Sequence, residues 1–217
     1  MIDISKVDER KIILSYVIVV FCLILFLVFT HFFWPDFDEQ VINLVGRDRG
    51  KSFSVLMTFI GWWGFAYGMV LPVLLASIVL FATSYRREAL FTLSAFIAGA
   101  INVILKLLIN RPRPHPEAMS PFLSFQQSSF PSGHVVHYVV FFGFILTVML
   151  VKSNINRILR WSIGLLCVFL IAGVSVSRIY RGTHWPTDVL MGYIIGFIML
   201  GIVILLYLKK PRQGTLA

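Results

Sequence analysis

The polar side chains that could do chemistry are concentrated in three short segments of this chain. Residues 177–188 read SRIYRGTHWPTD and hold Arg178, His184 and Asp188 between two long apolar runs. Since His184 and Asp188 are four residues apart and Pro186 favours a first helical turn, the two side chains can meet. A carboxylate that holds one imidazole nitrogen fixes the tautomer and leaves the other nitrogen as a base or nucleophile. This spacing therefore predicts a catalytic histidine, His184, oriented by Asp188.

A second segment reads FPSGH over 130–134, directly before another apolar run. Ser132 is a helix-capping residue type, the N–H groups of a helix start bind anions, and Gly133 lets the backbone approach a ligand closely. His134 then stands where it could protonate a leaving group. Two simpler interpretations stay open: a plain capped helix with His134 at the membrane interface, and half of a metal site formed with His137. Carboxylates that would complete a metal site are scarce nearby.

The third segment supplies cations, Lys106 and Arg113, and ends in the sequence NRPRP. Its prolines disfavour helix, so the helix is predicted to end near Asn110 and the turn to bring Arg113 close to Lys106. A lysine at this depth could instead extend its ammonium group to the interface. Together with Arg178, the inventory suits a phosphoryl group: cations and N–H donors stabilise its oxygens, one histidine attacks phosphorus, and the other protonates the leaving oxygen.

The elements that must position these residues are membrane helices. The chain is 58% hydrophobic and only 13% charged, whereas about a quarter of a soluble domain is charged. Six apolar runs approach the roughly 20 residues that span a bilayer as a helix. They cover 12–33, 65–83, 89–109, 135–151, 161–177 and 189–208. The first run lacks a small-residue cleavage site, which predicts an uncleaved anchor. We therefore expect an all-α membrane protein, a six-transmembrane helix bundle that forms one domain over 1–217.

The distribution of basic residues predicts the orientation of these spans. If both termini lie on one side of the membrane, that side carries more lysines and arginines than the other. The positive-inside rule then places the termini in the cytoplasm, and the segments 110–134 and 178–188 together on the outer face of the plasma (inner) membrane. This topology accounts for most of the net charge of +9, so no nucleic-acid partner is expected.

One outer connection, 34–64, has a pattern of its own. Phe37, Val41 and Leu44 lie at helical spacing, which predicts a short amphipathic helix on the membrane surface. We interpret this segment as a connector with an anchoring role.

The three segments together resemble a known signature. Its parts occur here in order as Lys106-x6-Arg113-Pro114, Pro131-Ser132-Gly133-His134 and Ser177-Arg178-x5-His184-x3-Asp188. This is the signature of the type-2 phosphatidic acid phosphatases, which share a superfamily with vanadium haloperoxidases and bacterial acid phosphatases. The motifs cover 106–188, and the six-span layout resembles the membrane branch over nearly the whole chain.

The resemblance implies a role for each matched residue. His184 would be the nucleophile that forms a phosphohistidine, Asp188 would orient it, and His134 would protonate the leaving group before water hydrolyses the intermediate. Five residues would bind the phosphate: Lys106, Arg113, Ser132, Gly133 and Arg178. The family needs no metal and no other cofactor. Its membrane members act on phosphatidate, phosphatidylglycerol phosphate, diacylglycerol pyrophosphate or polyprenyl diphosphates such as undecaprenyl diphosphate.

Two other functions compete with a lipid phosphatase. A non-catalytic transporter or binder of anionic lipids would also place cations at a membrane face, but it would not need both histidines and Asp188 at these spacings. A vanadate-dependent peroxidase would share the site residues, although the membrane setting argues against it. The signature leaves His115 and His137 without a role, and Arg111 and Arg181 are interpreted as additional contacts for phosphate or lipid headgroups.

Overall fold

The computed structural model describes residues 35–46, 49–64, 66–115 and 128–209. Every regular element within these ranges is an α-helix, which confirms the all-α class for this part of the chain. In chain order the helices are α1 Pro35–Val45, α2 Lys51–Trp62, α3 Ala66–Ala82, α4 Arg86–Thr92, α5 Ser94–Ile109, α6 Gly133–Val151, α7 Arg157–Tyr180 and α8 Pro186–Leu208.

Four apolar helical stretches in the described residues are long enough to cross a bilayer. α4 and α5 follow each other so closely that they form one stretch from Arg86 to Ile109, and the others are α6, α7 and α8. These correspond to the last four predicted runs. The helices extend past those runs, since their terminal turns carry polar residues that the hydropathy pattern leaves out.

The predicted count of six spans is met only in part. The run 65–83 forms α3, an apolar helix of 17 residues with Pro72 inside it, which is short for a span. The run 12–33, with the predicted anchor, lies outside the described residues. Six spans therefore remain a prediction, and the described part of the chain contains four helical stretches that are long and apolar enough to cross a bilayer.

Helix α6 forms the centre of the bundle and packs against α5, α7 and α8. An apolar segment of 18 residues in α6 is 67% buried, whereas the corresponding segments of the other three stretches are 28–33% buried. Val136, Val140 and Phe144 are accordingly at most 1% exposed. The central position of α6 fixes the place of its first turn, which carries His134.

A polar cluster joins the helices at the end where α6 finishes. Glu88 of α4 is 4% exposed, and its Oε1 accepts from Lys152 Nζ at 2.6 Å and from the Tyr207 hydroxyl at 2.8 Å. Since α6 has 19 residues at about 1.5 Å each, this cluster lies about 28 Å from the start of α6. The cluster therefore ties α4, α8 and the α6–α7 connection together, far from His134.

We expect Lys152→Met to destabilise the protein without changing its chemistry. The substitution leaves the buried Glu88 carboxylate with one neutral donor, Tyr207, which should cost about 1–3 kcal/mol. The thermal unfolding midpoint in detergent should fall, while turnover per folded molecule stays at the wild-type value. Arg157→Met, at the exposed first residue of α7, is the matched control. Equal midpoints for the two variants would contradict the prediction.

Candidate active site

The residues of the three sequence segments meet at one end of the bundle, called the site end below. It is the end where α5 and α7 finish and where α6 and α8 begin. The predicted helix end is observed, since α5 stops at Ile109 and Asn110 follows in the left-handed conformation with φ 46°. The chain then turns back, and Arg113 reaches the side chain of His184.

His184 is held from the main chain. The ring is 2% exposed, and its Nδ1 lies 2.8 Å from the carbonyl oxygen of Ser129. A carbonyl can only accept, so Nδ1 carries the proton and Nε2 keeps its lone pair. Nε2 lies 3.3 Å from Arg113 NH1 and is directed at the cations of the site. The tautomer is therefore the one that a nucleophilic Nε2 needs.

Asp188 is close to His184, but it does not hold the ring in the way that the spacing suggested. Its Oδ2 lies 3.7 Å from His184 Nδ1, which is an ion-pair distance and too long for a hydrogen bond. Oδ2 instead accepts from the backbone N–H of Trp185 at 2.8 Å, and Oδ1 accepts from Arg111 at 2.7 Å. The Ser129 carbonyl fixes the tautomer, and Asp188 contributes a buried charge beside the ring.

His134 faces His184 across the site. It lies in the first turn of α6, and the two ring centroids are 6.3 Å apart. His134 Nε2 is 2.9 Å from Arg178 NH1, a group that can only donate. In the arrangement described here, Nε2 of His134 thus accepts a hydrogen bond from the guanidinium.

Three buried cations surround the histidines: Lys106, Arg113 and Arg178 are 6%, 7% and 1% exposed. Lys106 Nζ donates to the Ser128 carbonyl at 2.6 Å, and Arg113 NH2 donates to the same oxygen at 3.1 Å. The ammonium of Lys106 thus points into the site rather than to the interface. Burial lowers the pKa of Arg113 to about 10, which still leaves it charged at neutral pH. Carbonyl oxygens orient such cations, and an anionic ligand would complete their solvation.

Ser132 occupies the predicted position at the N-cap of α6, yet its side chain makes no capping bond. Its Oγ is buried and has no hydrogen-bond partner among the described residues. Buried hydroxyls are normally satisfied, so this one is suited to a ligand. Gly133 follows as the first residue of the helix and lies beside Asn102 and Lys106. A plain capped helix would leave this hydroxyl unexplained.

The two histidines of the H-x-x-H pair have separate surroundings. His137 is 1% exposed and stacks on Phe141, with ring centroids 5.6 Å apart, whereas His134 contacts Arg178. Among the described residues, no group of three or more His, Cys, Asp or Glu side chains could hold a metal ion.

Helix α2 and the residues directly after it approach the site closely at two glycines, which the sequence did not predict. A Cβ at Gly61 would lie 1.7 Å from Arg178 NH2, and a Cβ at Gly64 would lie 2.2 Å from His134 Cδ2. Ser177 Oγ donates to the Met57 carbonyl at 2.6 Å and fixes α2 against α7. The glycines at the end of the predicted 34–64 connection were the available signal.

The structure differs from the sequence-based interpretation at Asp38, in the predicted connector, and at Arg111. Asp38 of α1 is 1% exposed and pairs with Arg111 at 2.7 Å, so the segment taken as a surface connector reaches the site end. Arg111 forms ion pairs with Asp38 and Asp188, whereas the sequence analysis interpreted it as a contact for phosphate or a lipid headgroup. Arg181 is exposed and donates to Thr58 at 2.9 Å.

The geometry agrees with what family comparison finds. Residues 87–212 match the family model of the PAP2 superfamily. Because the match covers more than half of the sequence, this chain belongs to the PAP2 superfamily. The resemblance to type-2 phosphatidic acid phosphatases is confirmed, and the protein is a hydrolase, a phosphatase of this family.

Relatives with printed activities extend the comparison. The chain is 26% identical over 163 residues to an undecaprenyl-diphosphatase of Sulfolobus acidocaldarius, which covers 74% of this chain and 73% of the relative. It is 33% identical over 132 residues to a decaprenylphosphoryl-5-phosphoribose phosphatase of Mycobacterium tuberculosis, covering 59% of this chain and 66% of the relative. The crystal structure of a transmembrane PAP2-type phosphatidylglycerolphosphate phosphatase from Bacillus subtilis matches with a TM-score of 0.77 at 21% identity, over 92% of this chain and 98% of that one. This last likeness shows the fold.

Proposed function

We propose that this protein is an integral-membrane lipid phosphatase that hydrolyses a lipid phosphomonoester or diphosphate through a phosphohistidine. The observation that carries the proposal is the pairing of two histidines, His184 and His134, across one cradle of buried cations. A transporter of anionic lipids would need the cations but not a histidine held as the Nε2 nucleophile.

In the first step, the phosphate lies among Lys106, Arg113 and Arg178, whose charges stabilise the equatorial oxygens. The Nε2 lone pair of His184 forms the P–N bond while the P–O bond to the lipid breaks. His134 gives a proton to the departing oxygen. Phosphate binding draws Arg178 NH1 from His134 Nε2 to a phosphate oxygen, which leaves Nε2 to carry that proton.

In the second step, water attacks phosphorus in line with the P–N bond. His134 takes the proton of the water, the P–N bond breaks, and inorganic phosphate leaves. His184 returns to the neutral state with Nδ1–H still on the Ser129 carbonyl. No step uses a metal, and Asp188 favours the positive charge that the phosphorylated ring carries.

The substrate class follows from the membrane setting and the relatives. Relatives named as acting on undecaprenyl diphosphate and on decaprenylphosphoryl-5-phosphoribose support a polyprenyl phosphate here. A relative named phosphatidylglycerophosphatase B supports a glycerolipid phosphate. We infer six spans with cytoplasmic termini, which places the site end at the outer face of the plasma membrane. The phosphate is then removed at the outer leaflet.

Phosphate release from defined lipids tests this function. Purified protein in detergent with EDTA is given phosphatidate, phosphatidylglycerol phosphate, diacylglycerol pyrophosphate and undecaprenyl diphosphate, separately and then in competition. We expect release from at least one of them that is insensitive to EDTA. No release from any of the four would contradict the proposal. Halide oxidation with added vanadate, without lipid turnover, would favour the peroxidase.

A pH dependence follows from the burial of His184. Burial lowers the pKa of His184 well below its usual range, and the charges of Lys106, Arg113 and Arg178 act in the same direction, while the bond to Ser129 opposes them. Attack needs the neutral ring of His184. The decrease of kcat/KM that follows from its protonation should therefore lie below pH about 6.5. Stability has the same sign: the unfolded chain gains this proton at higher pH, so the free energy of unfolding falls as pH drops below about 6.5.

Two measurements check this dependence. As pH is lowered, kcat/KM should show no loss from protonation of His184 until the pH falls below about 6.5, the pKa of an unperturbed histidine. The thermal unfolding midpoint should decline below the same pH. An acid limb of His184 centred above that value would contradict the expectation.

A further inference from the structure

A buried carboxylate outside the signature reaches the catalytic end of the fold. Asp38 lies on α1, the short helix near the start of the described residues, and is 1% exposed. Its Oδ1 accepts from the Thr187 N–H at 2.9 Å, and its Oδ2 accepts from the Thr187 hydroxyl at 2.6 Å and from Arg111 at 2.7 Å. All these partners belong to the site end. Anchoring to the membrane surface does not require such a set of bonds.

Arg111 stands between two buried carboxylates. Its NH2 donates to Asp38, while its NH1 donates to Asp188 Oδ1 and to the Thr187 hydroxyl, each at 2.7 Å. The guanidinium also lies over the Trp185 ring, 5.6 Å from its centroid. A planar guanidinium with two occupied edges fixes the direction of both carboxylates more firmly than a lysine could.

Asp188 is the carboxylate whose charge and direction depend on Arg111. It is 0% exposed, and a buried carboxylate stays ionised only where cations and N–H donors replace water. The charged and titratable groups that act on it are Arg111, Lys106 from α5 and His184, and Asp38 acts through Arg111. In the proposed reaction, the ring of His184 becomes cationic when it is phosphorylated. The charge and the direction of Asp188 therefore matter at the chemical step.

We propose that Arg111 and Asp38 are positioning residues that keep Asp188 ionised and directed at His184. The proposal rests on the proposed phosphohistidine function. It assigns α1 a part in turnover, because the helix supplies the outer carboxylate of the Asp38–Arg111–Asp188 row. Arg111 and Asp38 bond to each other and to Thr187 and Asp188, so in this proposal both act on the rate of the chemical step rather than on phosphate binding.

Four variants test the row: Arg111→Gln, Arg111→Lys, Asp38→Asn and the double variant Arg111→Gln/Asp38→Asn. We expect Arg111→Gln to lower kcat by about tenfold to 100-fold, as for a misplaced catalytic group. KM and inhibition by vanadate, used as the phosphate analogue, should change less than about twofold, since the cradle is intact. Arg111→Lys should restore part of kcat. The double variant should be no slower than Arg111→Gln alone, since Asp38 acts through Arg111.

Matched controls separate this role from general loss of charge. Asp36→Asn alters an exposed carboxylate on the same helix, and Arg49→Gln removes an exposed arginine beside Phe53. Both should retain wild-type kcat. If Arg111→Gln does not fold, as judged by its unfolding midpoint, Asp38→Asn carries the test with a fall in kcat, and Arg111→Lys should show a smaller fall than Asp38→Asn.

Several outcomes would overturn the proposal. Wild-type kcat in folded Arg111→Gln would do so, as would independent effects that multiply in the double variant. A rise in KM and a loss of vanadate inhibition would instead assign Arg111 to phosphate binding. An inactive wild-type protein would contradict the proposed function itself, which distinguishes the two failures.

Discussion

His184→Ala is expected to lower phosphate release by at least about 1,000-fold, since it removes the proposed nucleophile and leaves only the cation cradle to act on the substrate. The ring is held by the Ser129 carbonyl with Nε2 directed at the cations. Single-turnover and steady-state phosphate release measure the loss.

His184→Asn is the closest structural match for this test. Its side-chain amide can still donate to the Ser129 carbonyl, but it offers no nucleophilic nitrogen. Acid-stable and acid-labile phosphate on the protein should be compared after rapid quenching, because phosphohistidine is trapped in the wild type only. A folded His184→Asn or His184→Ala protein with normal turnover would overturn the nucleophile assignment.

Gly61→Ala is expected to lower kcat/KM by about 100-fold, although residue 61 carries no chemistry. The new methyl group would lie 1.7 Å from Arg178 NH2 and 2.8 Å from the Ser177 hydroxyl. Either α2 or the guanidinium must move, and Arg178 is 1% exposed with little room. The displaced arginine would lose its contact with His134 and its proposed place on the phosphate.

Gly99→Ala is the matched control for this substitution. Gly99 is also inside a helix, and a Cβ there meets nothing within 4 Å. Alanine has the better helix propensity, so this variant should be slightly more stable and fully active. Equal kcat/KM for Gly61→Ala and Gly99→Ala would show that the site tolerates a shift of α2.

The sequence was sufficient for the class of fold and for most of the cradle. Uninterrupted apolar runs predict membrane helices, because backbone groups in lipid must be satisfied within the segment. Lys106, Arg113, Ser132 and Arg178 all lie at helix ends that hydropathy and proline mark. Antiparallel neighbours bring these ends together, so the convergence of the three segments could be predicted from the order of spans alone.

Contacts made across long stretches of chain were beyond the sequence. Asp38 and Thr187 are 149 residues apart, and Ser177 and Met57 are 120 apart. Neither pair shares a periodicity or a motif. The His184–Asp188 spacing correctly places two side chains near each other, but it carries no information on the Ser129 carbonyl that takes the hydrogen bond.

In the stretch just before α6, main-chain carbonyl groups set the positions of the site residues. Two consecutive carbonyls, at positions 128 and 129, receive the ammonium of Lys106, a guanidinium edge of Arg113 and the ring of His184. Point substitution cannot delete a carbonyl, so alanine at either serine should leave these three bonds in place. Adding or removing one residue between there and the helix start would shift nucleophile and cations together relative to His134. Substitutions in this segment should therefore be tolerated better than insertions or deletions.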